Sequence, residues 1–208
     1  MTGTLISQLK PQPADDGFGL PEFLVSTFVL LVIASSVFTV ICETQEKAGY
    51  QAEVQSVLNN TRLALQAVGR HLRQAGNDPM GTGLAGITIV GATEMQVRSD
   101  ITGSAGPASP DKGDPDGDID DSGENVTIRY NGSTRSLEIV PMGGSAQIIT
   151  GYISGVNFRY YDSAGNPAAT GDDVRKICVT VSGASLLPDP RTRRAFGMEL
   201  SSDFQVIS

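Results

Sequence analysis

The chain has 208 residues and a formal net charge of −8, which gives no electrostatic case for nucleic acid, a partner that favours basic patches. Its 24 Gly, 11 Pro and absence of Trp direct turns and short strands into whatever lies outside a long helix. A single histidine, His71, cannot alone make a metal triad or a Ser/His/Asp site, and no Walker A, nucleotide-type G-x-G-x-x-G or C-x-x-C motif is present, so nothing in the sequence supports catalysis.

Residues 1–16 lack any periodicity and are expected to be a leader, whose one basic residue is Lys10. Gly17 then opens an apolar run to Ile41 in which the only charge is Glu22. A bilayer core requires about 20 apolar residues in helical form, so the run is long enough to span one. A carboxylate in such a run is costly, and an ionisable residue there is functional by default. Pro21 is compatible with a first helical turn, where its missing N–H has no intrahelical partner.

The helix is expected to continue from Phe18 to about Ala75, because no proline interrupts it and Gly76-Asn77-Asp78-Pro79 is a strong stop. Beyond the membrane, Val54, Leu58, Leu65, Val68 and Leu72, with Thr61 between them, form an a/d-type stripe. Glu53, Gln55, Asn59, Arg62, Gln66 and Arg73 lie mostly off it. Cys42 stands at the outer edge of the run and Cys178 in an expected strand; a bond between them needs Cα atoms within ~7 Å, and one partner is held at the bilayer surface.

After Pro79 the period changes to two. Ile87/Ile89, Met95/Val97, Val126/Ile128/Tyr130, Leu137/Ile139, Val156/Phe158/Tyr160, Ile177/Val179/Val181 and Met198/Leu200/Phe204/Val206 alternate with polar residues. Asn131-Gly132 and Asp162-Ser163-Ala164-Gly165-Asn166 are hairpin signals. The expectation is an α+β chain: a long N-terminal helix whose outer stripe is covered by a twisted antiparallel sheet of six to eight short strands. The divisions are a leader at 1–17, a membrane helix at 18–42, its amphipathic continuation at 43–76 and a β-rich domain at 77–208.

The segment Gly17-Phe18-Gly19-Leu20-Pro21-Glu22-Phe23-Leu24-Val25 resembles the type IV prepilin (class III signal) motif, a glycine followed by F-T-L-I-E-L-L-V. Asp15 and Asp16 stand where that family usually carries Lys or Arg, and Pro21 replaces its isoleucine. The later stretches RHLRQAGNDP, GVNFRYYDSAGNP and DDVRKICVTVSG resemble the PilW/PulJ-like group of minor pilins and pseudopilins. The resemblance implies cleavage between Gly17 and Phe18 by a prepilin peptidase, with N-methylation of Phe18. It implies that Glu22 of one subunit neutralises the Phe18 amine of a neighbour and so sets register in a filament. The implied partners are other pilins, the peptidase/methyltransferase, an inner-membrane assembly platform and membrane lipid. The implied location is a bacterial inner membrane, crossed once with the C-terminal domain outside the cytoplasm, and then a pilus or a type II secretion pseudopilus. A single-pass anchored binding or adhesion domain that never polymerises is the alternative from another class.

One further stretch carries chemistry. Asp114, Asp116, Asp118, Asp120, Asp121 and Glu124 place six carboxylates in eleven residues, with aspartates alternating as a hard cation requires. The stretch resembles the aspartate-rich calcium loops of EF-hand, dockerin and thrombospondin type 3 repeats, although its glycine falls one position early for the EF-hand pattern. A calcium ion and a solvated acidic turn are both open readings here. No other cofactor is required.

Overall fold

The computed structural model describes residues 19–103 and 113–206. It divides into two compact units, Met1–Glu46 and Lys47–Ser208. One helix, α1 (Leu20–Gln74), runs through that division, so its amphipathic half belongs to the globular unit rather than to a separate rod.

In the first unit, α1 starts with Pro21 in its opening turn. It is the one helix among the described residues long and apolar enough to cross a membrane, with a mean hydropathy of 2.5 over its most apolar window. Four hydroxyls within the apolar run, and Thr44 just beyond it, return their protons to the helix's own backbone. Thr27 donates to the Phe23 carbonyl at 2.8 Å, Ser35 to Val32 at 2.9 Å, and Ser36 to Ile33 at 2.8 Å. Thr39 donates to Ser35 at 3.0 Å and Thr44 to Val40 at 2.7 Å. Such bonds let Ser and Thr sit in hydrocarbon without an orphaned donor.

In the second unit, α1 ends where Gly76 enters the left-handed region at φ 76°, which favours glycine. The Gly76 N–H leaves the helix and donates to the Arg98 carbonyl at 3.0 Å. Eight strands follow: β1 (Ile87–Ile89), β2 (Glu94–Arg98), β3 (Asn125–Asn131), β4 (Ser136–Pro141), β5 (Gln147–Thr150), β6 (Ile153–Tyr161), β7 (Lys176–Pro188) and β8 (Ala195–Gln205). All pairings are antiparallel, but the strands form two sheets and not one: β1-β2-β3-β4-β5 and β6-β7-β8. The break falls at Tyr152, whose φ of 62° turns the chain so that β6 pairs with β7 instead of β5. The sheets stay joined by main-chain bonds, from Ile153 N–H to the Arg135 carbonyl at 2.9 Å and from Phe158 N–H to the Ala92 carbonyl at 2.7 Å.

The expected alternation sets the register. Met95 lies opposite Ile128 and Val97 opposite Val126, while Ile128 faces Ile139 across the next pair. Ala64, Val68 and Leu72 of α1, with Ala75 just past its end, close this core. The 131–136 segment is the expected hairpin. The 162–166 turn reverses the chain only for a single bridge between Tyr161 and Pro167, and β7 begins ten residues after it.

The helix stripe differs from its expected line. The buried residues are Glu53, Val57, Thr61, Ala64, Val68, Gly69 and Leu72, whereas Val54, Leu58 and Leu65 are only half-buried. The reason is close approach. A Cβ on Gly183 of β7 would collide with Thr61 Oγ1 and press on Val57, so the strand lies against a groove of small side chains and not on the leucines.

Candidate functional site

At the start of α1 the Glu22 carboxylate folds back on its own turn, and its Oε2 accepts the Gly19 N–H at 2.5 Å. This is the reach-back half of a capping box, with the acid at the third helical position satisfying a donor that the helix leaves unpaired. Glu22 is exposed and is the only charged residue of α1 before Glu43. Gly17 and Phe18, the expected cleavage site, lie outside the described residues.

The acidic stretch forms part of the connection between β2 and β3. Asp114, Asp116, Asp118 and Asp120 point outward, while Pro115, Gly117 and Ile119 between them are half-buried. The aspartates cap one another's backbone. Asp118 N–H donates to Asp116 Oδ1 at 3.3 Å and Asp120 N–H to Asp118 Oδ1 at 3.1 Å. Asp118, by hydrogen bond and by repulsion, pushes the Asp120 carboxyl above its ordinary pKa, and Asp121 and Asp116 add to the effect. Asp121 is half-buried at the end of the stretch.

Glu124 behaves differently. It is fully buried, and its Oε1 accepts the N–H groups of Ile101 and Thr102 at 2.8 Å each. Its own carbonyl accepts Ser99 N–H at 2.9 Å. Asp100, a residue the sequence pattern does not single out, is also buried, and its Oδ2 accepts the Gly117 N–H at 2.9 Å. The Asp100 main chain is clamped to the helix end. It donates to the Asn77 carbonyl at 2.8 Å and accepts from Asn77 Nδ2 at 2.7 Å. Among the described residues no three acidic, histidine or cysteine side chains gather at one point, so the six expected ligands are not assembled as a single shell.

Two more side chains hold the unit together. Glu53 accepts the Leu186 and Leu187 N–H groups where β7 slips out of register with β8. Asp78 accepts Thr82 N–H at 3.0 Å, Gly83 N–H at 2.8 Å and Leu84 N–H at 3.1 Å. These bonds, with that of Thr82 the largest influence and Leu84 next, lower its pKa to about 2. His71 is half-buried, and burial together with Arg70 lowers its pKa. Cys42 and Cys178 are both free thiols, and Cys178 Sγ lies 3.3 Å from Ser201 Oγ. No family model, curated protein or solved structure matched the chain.

Proposed function

We propose that the chain is a minor pilin of a type IV pilus, cut after Gly17 by a prepilin peptidase, methylated on Phe18 and added in or at the tip of a filament through its N-terminal helix. The observation that carries this reading is Glu22, the lone carboxylate of an apolar run long enough to span a bilayer, lying four residues after Phe18. Its Gly19 bond employs one oxygen at the helix start and leaves the other for a neighbouring subunit's new N-terminal amine in this reading. A buried carboxylate and amine hold each other far better than either stands alone, so only one axial offset satisfies both. The J-like pseudopilin of a type II secretion machine is the same reading in another filament.

The test is mass spectrometry of the chain extracted from membranes of cells with an active prepilin peptidase. A mature form starting at methylated Phe18 is expected. A chain retaining residues 1–17 would favour the single-pass anchored domain that does not polymerise.

A further inference from the structure

The floor of the β2–β3 connection, rather than its rim, holds the carboxylate charge that lacks a partner. Asp100 and Glu124 are 1% and 0% exposed. Each uses one oxygen on main-chain N–H groups, Asp100 Oδ2 on Gly117 and Glu124 Oε1 on Ile101 and Thr102. Because Ile101 directly follows Asp100, the two carboxylates flank one stretch of backbone. Their remaining oxygens, Asp100 Oδ1 and Glu124 Oε2, are buried and have no hydrogen-bond partner among the described residues. Neither forms an ion pair among the described residues, unlike Glu138 with Arg129 and Asp203 with Lys176. The nearest arginine in sequence, Arg98, directs its Nη2 to Thr88 and Gln96, and its buried Nε has no hydrogen-bond partner among the described residues. The two limbs of the connection also pack tightly, since a side chain at Gly103 would collide with the Asp114 carbonyl.

Buried carboxylate oxygens that meet no donor are costly unless a counter-charge satisfies them. We infer that Asp100 and Glu124 are the anionic ligands of a calcium-class divalent cation seated beneath residues 113–124. Calcium takes six to eight oxygens and accepts main-chain carbonyls and water alongside carboxylates, so two acids suffice as the charged part of its shell. The outward aspartates at 114, 116, 118 and 120 then supply negative potential around the entrance and do not ligate. This site needs only the folded second unit and is independent of the filament reading.

The experiment is thermal unfolding of the full chain in detergent micelles, followed by the sheet signal in circular dichroism, with chelator, magnesium or calcium. Calcium at about ten times the ~10⁻⁴ to 10⁻³ M dissociation constants usual for extracellular modules should raise the midpoint by several degrees, and magnesium by less. Asp100→Asn and Glu124→Gln keep an amide oxygen for the Gly117, Ile101 and Thr102 N–H groups, so both variants fold. Each should melt at or above the wild-type midpoint in chelator and lose most of the calcium response. The combined Asp116→Asn, Asp118→Asn, Asp120→Asn variant should keep it. A wild-type midpoint that ignores calcium overturns the site. So does a response that survives both interior amides and disappears in the rim variant.

Discussion

Glu53 accepts the Leu187 N–H through both carboxylate oxygens, at 3.1 Å each, and it also accepts the N–H of Leu186. The β7–β8 register breaks between Ala184 and Pro188, so these donors have no partner strand, and the helix supplies the acceptor they lack. A hydrogen bond to a charged group contributes about 1.5–3 kcal/mol, and less where water can take its place, as at the exposed Leu186 and Leu187. Glu53→Ala should therefore destabilise the chain by about 2–4 kcal/mol, and Glu53→Gln by about half as much, because one amide oxygen remains. Chemical denaturation of both variants in micelles measures this, and an unchanged midpoint for Glu53→Ala would remove the clamp from the account.

Gly183 faces Thr61 and Val57 with no room for a methyl group. Gly183→Ala should cost about 1–3 kcal/mol through overpacking. Thr61→Ala clears the hydroxyl and should recover about 1 kcal/mol or more of that loss as a coupling energy. A double-mutant cycle reads it directly, and strict additivity would show that strand and helix do not meet here as described.

How far the sequence carries follows from these two contacts. Period-two alternation located seven of the eight strands, because Met95, Val97, Ile128, Val179 and their neighbours face one core. β5 escaped it: Gln147-Ile148-Ile149-Thr150 sets two isoleucines side by side, and Ile148 is exposed on an edge strand. The helix stripe was read from its largest apolar residues, yet burial follows Thr61, Ala64 and Gly69, whose small size admits β7 and β8. Glu53 lies off the expected stripe, and nothing nearby in sequence marks its burial, because its partners lie 133 and 134 positions away. Asp100 carries no spacing signal at all. It became visible only once folding brought Gly117 to its side chain.

The Asp78 turn should respond to acid. Its pKa falls from the ordinary 3.8 to about 2, held there by the N–H groups of Thr82, Leu84 and Gly83. A depressed carboxyl contributes stability fully above its unfolded value, and the contribution fades as pH drops through the folded one. The turn should thus be intact at pH 5, weaken between about 4 and 2, and be released below that. Carboxyl titration by NMR on labelled protein should place the Asp78 midpoint near 2. A midpoint near 4 would mean those three bonds do not persist in solution.

Incorporation of Glu22→Gln beside the wild type is the most direct test of the central claim. The substitution leaves an acceptor for Gly19 N–H and makes the run more apolar, so membrane levels should match the wild type. What it removes is the charge that would meet a neighbour's Phe18 amine. The amount recovered in sheared filaments, normalised to the membrane fraction, should fall by about tenfold or more, equivalent to about 1.4 kcal/mol. Wild-type recovery of the variant would contradict the account, leaving Glu22 as a helix cap and the chain as an anchored domain that does not assemble.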